Sequence, residues 1–383
     1  MTEKVDPARS YLWQLQTQAA EALGRRRRNV EETQVIRDLM DNASAANGPP
    51  DAQYVEALRL RQYWPPCGPD ESYIEFSIIH SLADQLEKFT PDSFARPVLG
   101  SLETGDINAV TLLSPDGRTH LVLFESELTG FANLFSKAVA LAMPSVGSKN
   151  GKNGFSISPD KVRKHLRRSP EAIQRFEEVV LAYLLKGRPR RAPQYFVPKQ
   201  AEVSAALLVQ GLELFVLGHE YGHVLAGHLA GDHEPRRMLG GADGEATEVA
   251  WKWEQEYEAD ILGWELCVSA MAEECDLAMA HAGVELFFSA CEVLEWALSL
   301  LITGGADGRP TSITHPSIAN RRDFLHAYLR EIYGGQIEPV LAVGARFRNI
   351  VNILWEYTAP VVLERYQRGV RPDPRWTVNS PKA

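Results

Sequence analysis

The chain has 383 residues, enough to bury a large core in one big domain or a few smaller ones. Hydrophobic residues make up 45% and charged residues 23%, an ordinary globular balance. The net charge of -10 argues against a general nucleic-acid binder, which carries a basic footprint.

The four cysteines, Cys67, Cys267, Cys275 and Cys291, include no C-x-x-C pair. They are too few for a disulfide framework in a chain of this length and read as small buried hydrophobes. The opening MTEKVDPARS lacks the apolar core of a signal peptide. The two greasiest stretches are 203–217 and 284–302. Gln210 and Glu213 interrupt the first; Glu285, Glu292 and Glu295 interrupt the second. Both read as core helices, not membrane spans. The default expectation is a soluble cytoplasmic protein.

In chain order, 8–42 reads as a helix with Leu12, Leu15, Ala19 and Leu23 on its apolar face. The Arg25–Arg28 run reads as a solvated face of that helix. Residues 43–53 read as a linker, and 72–89 as a second amphipathic helix. The period then changes. Val110–Leu113 and His120–Phe124 flank Ser114-Pro115-Asp116-Gly117, which predicts a β-hairpin. A helix over 127–142 follows, then a mobile loop at 145–154 and one charged helix over 159–186. The prolines of 187–199 end that helix. The second half predicts helices near 201–229, 246–272, 274–302, 316–332 and 337–368, with glycine-rich breaks at 239–244 and 303–308. The expected fold is mainly α (α+β), with a small β element. The expected organisation is an N-terminal helical extension over 1–70, a main domain over 71–335, and a C-terminal helix and tail over 336–383.

One segment carries chemistry. Leu217-Gly218-His219-Glu220-Tyr221-Gly222-His223-Val224 holds H-E-x-x-H inside an apolar helix. Residues four apart on a helix lie nearly above one another, so His219 and His223 can bind one metal ion. Glu220, beside them, can take a proton from an attacking water and pass it to a leaving amine. Buried among Leu212, Phe215, Val216 and Leu217, such groups would be costly without a metal to satisfy them. This is the zincin arrangement.

A catalytic zinc needs a third protein ligand. The metzincin continuation would require Gly at 226 and His at 229, where the chain has Ala226 and Leu229. His228 lies five residues past His223, about 140° around a helix, and could ligate only if the helix broke at once. His233 is a weaker candidate. Glu256 is the better one. It forms an i, i+4 pair with Asp260 on the following helix, and Asp260 can accept a hydrogen bond from the outer ring nitrogen of a ligating histidine. The neighbouring Glu254 and Glu258 read as a solvated face.

Together these motifs resemble the gluzincin peptidases that include the HtpX heat-shock proteases, the Oma-type mitochondrial proteases and the CAAX prenyl endopeptidases. The resemblance rests on H-E-x-x-H at His219–His223, E-x-x-A-D at Glu256–Asp260, and Thr314-His315-Pro316 through Arg321. It covers roughly 105–330. It implies Zn²⁺ held by His219, His223 and Glu256, and a transition-state helper at His315. Tyr257 and Tyr221 are lesser candidates for that help. Arg321, like Tyr257, is a candidate substrate contact, or else anchors His315 through a carboxylate. The chain departs from the family in having no membrane-spanning helix and in an extra helix at 159–186.

The expected activity is therefore zinc-dependent peptide-bond hydrolysis on a protein or peptide substrate, with Glu220 as general base. Two alternatives stay open. One is a specialised peptide-processing or defence hydrolase on the same scaffold; a looser resemblance, confined to the metal helix, is to the Lit-type peptidases of phage exclusion. The other is a non-catalytic protein pinned by zinc.

Overall fold

The computed structural model describes residues 6–22, 67–68, 71–102, 109–147, 153–230, 234–237, 247–250, 253–305 and 316–376. It is mainly helical with a small β part, as the sequence predicts. The Arg25–Arg28 run, the 43–53 linker, His233, the 239–244 glycines and His315 lie outside the described residues.

Helix α1 (Pro7–Ala22) and helix α2 (Tyr73–Leu86) precede three strands: β1 (Val98–Leu102), β2 (Ala109–Leu113) and β3 (His120–Glu125). The predicted hairpin is present. β2 and β3 pair antiparallel, with Leu113 opposite His120, and the Gly117 amide donates to the Ser114 carbonyl in the turn. β1 adds to the far side of β3 in parallel, giving the order β1-β3-β2. That strand is absent from the sequence reading.

The sheet is covered on both faces. Leu12, Leu15 and Ala19 of α1 pack on Val98, Leu102, Val110, Leu112, Leu121 and Leu123. Leu99, Ala109, Val122 and Phe124 point the other way, into the main helical core. Side chains alternate along a strand, so Thr111 shares the helix-facing side with Ala109.

Helix α3 (Leu128–Ala142) follows the sheet. The stretch read as a mobile loop is bounded by two paired strands, β4 (Ser145–Gly147) and β5 (Asn153–Phe155). The single helix predicted for 159–186 is two, α4 (Pro159–Arg168) and α5 (Glu171–Lys186). Pro170 lacks an N–H and drives Ser169 out of the helical region, to φ -136 and ψ 89.

The long helix α6 (Lys199–Leu225) carries H-E-x-x-H. Strands β6 (Glu234–Arg237) and β7 (Thr247–Ala250) pair antiparallel after it. Helix α7 (Trp253–Met271) therefore starts later than the predicted 246, because 247–250 is strand. Helices α8 (Leu277–Thr303), α9 (Ile318–Tyr333) and α10 (Glu338–Gln367) complete the chain. Two of them start at side-chain caps. Asp276 accepts from the Met279 amide at 2.9 Å, and Ser317 from the Asn320 amide at 3.2 Å.

One hydrophobic cluster runs from Ile79 to Trp376 and includes residues of α6, α8 and α10. By length and composition α6 and α8 could each cross a membrane, but most of each apolar window lies inside this core. All four cysteines carry free thiols.

Candidate metal centre

Two helices must come very close for a third ligand to reach His219 and His223. The sequence arranges this with small residues. A Cβ at Gly222 would stand 2.9 Å from the Ala259 backbone, and one at Gly263 only 2.7 Å from the His219 amide nitrogen. α6 and α7 thus pack backbone to backbone, and Glu256, one turn before Ala259 and Asp260, faces the two histidines.

The ring nitrogens His219 Nε2 and His223 Nε2 lie 3.2 Å apart. Glu256 Oε2 is 3.7 Å from the first and Oε1 3.6 Å from the second. The three residues are at most 3% exposed. These are the three candidate ligands, brought to one point.

The outer nitrogens show what the inner ones carry. Asp260 Oδ1 lies 2.9 Å from His219 Nδ1. Arg321 Nη2 is also near that nitrogen, at 3.3 Å, but it donates to Asp260 Oδ1 at the shorter 2.6 Å. The carboxylate contact wins, so His219 Nδ1 holds the proton and Nε2 keeps a lone pair. Burial, with His219 beside it, holds His223 well below the ordinary imidazole range, so that ring is neutral and has one N–H. His223 Nδ1 is 3.0 Å from His228 Nδ1, and His228 Nε2 is 3.0 Å from Glu258 Oε2. A carboxylate accepts, so His228 donates to it from Nε2 and accepts from His223 on Nδ1. His223 Nε2 then also carries a lone pair. Two lone pairs and a carboxylate converge on one buried point, an arrangement that a cation relieves. The donor set, two imidazoles and one carboxylate, suits Zn²⁺.

Asp260 is fully buried and bound by Arg321 Nε at 2.9 Å and Nη2 at 2.6 Å. Burial opposes its charge, but Arg321 and His219 outweigh burial and hold it below the ordinary carboxylate range. Arg321 Nη1 also lies 3.3 Å from Glu256 Oε2. Of the two readings left open for Arg321, its contacts are those of a buried anchor, on Asp260 and Glu256. Tyr257 stacks on Phe324 of α9, with ring centroids 4.2 Å apart. Tyr221 points away from the site, and its hydroxyl donates to Glu87 at 2.8 Å.

Glu220 sits beside the cluster, 2% exposed. Burial pushes its carboxyl up to about 7, against the opposing pull of His219 and of a hydrogen bond from Thr111. The Thr111 hydroxyl donates to Glu220 Oε2 at 2.6 Å. Sequence reading passed over Thr111, although strand alternation from Ala109 would have put it on the helix side. Two further contacts were not anticipated: His228 lies on the outer side of His223, and Glu258, exposed as expected, is bonded to His228.

A second buried group has the same composition. His281 and Glu285 of α8 meet His326 of α9, with possible ligand atoms within 4.8 Å of one another. Its protons run the other way. The Trp264 indole N–H donates to His281 Nδ1 at 3.1 Å. An indole nitrogen only donates, so the His281 proton sits on Nε2, facing Glu285. His326 Nε2 is 2.5 Å from Glu285 Oε1, and Arg322 Nε is 3.1 Å from Oε2. These are close contacts, not aligned hydrogen bonds.

Searches of family models, curated proteins and solved structures return no match to this chain.

Proposed function

We propose that the chain is a zinc-dependent metallopeptidase of the gluzincin type, hydrolysing peptide bonds in a protein or peptide substrate. The observation that carries this reading is the convergence of the His219 and His223 lone pairs with Glu256 beside a buried glutamate. Zinc held there would supply a Lewis acid that polarises the scissile carbonyl and acidifies an attacking water. The remaining work falls to the chain. Glu220 takes the proton of the attacking water and returns it to the departing amine. Its carboxyl, lifted by burial to about 7, exchanges a proton near neutrality. Thr111 holds Oε2 in place, so the proton is handled on Oε1. Arg321 fixes Asp260, and Asp260 fixes the His219 ring. His315 is the proposed donor to the developing oxyanion.

A second reading, a protein in which zinc is only a structural pin, draws support from the near-complete burial of the ligands. Glu220 argues against it, because a structural site needs no base. Metal analysis and proteolysis of an unfolded protein such as casein separate the two. The expected result is about one zinc per chain in wild type and in Glu220→Gln, and much less in Glu256→Ala. Wild type should cleave casein and Glu220→Gln should not. Full zinc in Glu256→Ala would remove Glu256 as a ligand. Zinc without Glu220-dependent cleavage of any peptide would favour the structural pin. A wild type that takes up no zinc would overturn both readings.

A further inference from the structure

His228 stands where the metal helix ends. α6 stops at Leu225, and the Ala226 amide closes it on the Gly222 carbonyl at 2.9 Å. Gly227 then takes φ +67, a left-handed turn that residues with a Cβ rarely adopt. The chain turns back, and the short turn His228–Ala230 lays the His228 ring edge-on to His223, centroids 5.1 Å apart. The helix does break at once, as a ligand role for His228 would need. Yet His228 presents its Nδ1 to the outer nitrogen of His223, on the side away from His219 and Glu256.

We infer that His228 and Glu258 are positioning residues that set the tautomer of His223, by a relay in which Glu258 accepts from His228 Nε2 and His228 Nδ1 accepts from His223 Nδ1. The inference rests on the metal reading above and extends it to residues that touch neither metal nor substrate. Its physical content is the direction of two hydrogen bonds. With the relay intact, the His223 proton is held outside and its Nε2 lone pair faces His219 and Glu256. Without it, the proton can move to Nε2 and close the site to a cation. The two histidines are thus oriented differently. His219 is held directly by the buried Asp260, whereas His223 is held through a second imidazole by a carboxylate whose side chain is 60% exposed.

The test is zinc affinity, measured by competition with a chelator, in the full-length protein and four variants. An asparagine amide occupies the position of the His Nδ1, and a glutamine amide that of Nε2. His228→Asn therefore keeps an acceptor for His223, and His228→Gln does not. Zinc binding should weaken about tenfold to a hundredfold in His228→Ala and His228→Gln, and only about threefold in His228→Asn and Glu258→Gln. Melting of the zinc-free proteins checks folding. A merely structural His228 would lower melting temperature without the Asn–Gln split in affinity. If His228→Ala does not fold, the Asn–Gln comparison decides alone. Wild-type affinity in His228→Ala, or equal weakening in Asn and Gln, would overturn the relay while leaving the metal centre standing. No zinc bound by wild type would overturn the metal centre itself and the relay with it.

Discussion

Among the described residues there are two buried clusters of two histidines and a glutamate, and each is backed by one of the adjacent arginines Arg321 and Arg322 of α9. Their composition is the same and their protons are opposite. At His219, His223 and Glu256 the outer nitrogens give their protons away, so acceptors meet at the centre. At His281, Glu285 and His326, Trp264 occupies an outer nitrogen as a donor, so N–H groups and a guanidinium meet on one carboxylate. Both carboxylates have a guanidinium beside them; the first cluster differs in the imidazole acceptors that face its carboxylate, a set that suits a metal cation, while the second binds α8 to α9. Residue types within reach of one another do not make a metal site; the groups behind them decide which way the protons point.

The sharpest way to break this comparison is to neutralise each glutamate. Burial opposes the Glu285 charge, but His326, His281 and Arg322 overcome it and pull the carboxyl down to about 2. Glu285→Gln should cost about 3 kcal/mol at pH 7, because it strips the partner from buried charges. A carboxyl with a depressed folded-state value stabilises above its unfolded value and loses that contribution as pH falls through the folded one. The gap in melting temperature between wild type and Glu285→Gln should therefore be full at pH 7 and shrink from about pH 4.5 towards pH 2. The variant should still bind one zinc per chain. Glu256→Gln should do the reverse. Zinc-free, it should cost less, about 1–2 kcal/mol, since one Arg321 contact is weakened while the paired contact to Asp260 stays, but zinc binding should be lost.

The arginines sharpen the contrast. Arg321→Met leaves Glu256 and Asp260 facing each other without a cation, at a cost of about 3 kcal/mol in the zinc-free protein. Zinc then does part of the work of the missing guanidinium, so the zinc-induced rise in melting temperature should exceed that of wild type. Arg322→Met should also destabilise, by removing the bidentate contact to Glu292 at 2.9 Å. Its zinc-induced rise should match wild type. An equal response in the two variants would mean that the clusters are not electrostatically distinct. A smaller loss is expected from Gly263→Ala, about 1–3 kcal/mol, because the new methyl meets the His219 backbone. That loss should come with weaker zinc binding, since the helix crossing sets the reach of Glu256.

Where the sequence was readable, a period or a fixed spacing wrote the answer locally. H-E-x-x-H on α6 and the Glu256–Asp260 pair on α7 are each contained in one helical turn. The P-D-G turn fixed β2 and β3. What stayed hidden was non-local. β1 joins β3 across the intervening hairpin, and nothing in Val98–Leu102 alone announces a parallel partner. Thr111 reaches Glu220 only because the sheet lies against α6. The place of His228 was hidden for a related reason. Helical spacing disfavoured it as a ligand unless the helix broke, and the turn at Gly227 brings it back to His223 on the outer side. Arg321 and Arg322, side by side in sequence, serve separate clusters because neighbours on a helix point about 100° apart.

The smallest expected effect concerns the third attachment of α9. Phe324 is 42% exposed and stacks on Tyr257, with an interplanar angle of 12°. This contact lies outside both charged clusters, so its removal should touch neither metal binding nor the Glu285 contacts. Phe324→Ala should cost about 1 kcal/mol, the worth of one partly exposed aromatic pair. Tyr257→Phe keeps the stack and removes only the hydroxyl. If Tyr257 serves the fold, Tyr257→Phe should melt and bind zinc like wild type and cleave casein at the same rate. If its hydroxyl serves substrate, cleavage should fall with no change in melting or zinc content. The stacked geometry favours the first result, because it uses the face of the ring and asks nothing of its polar end.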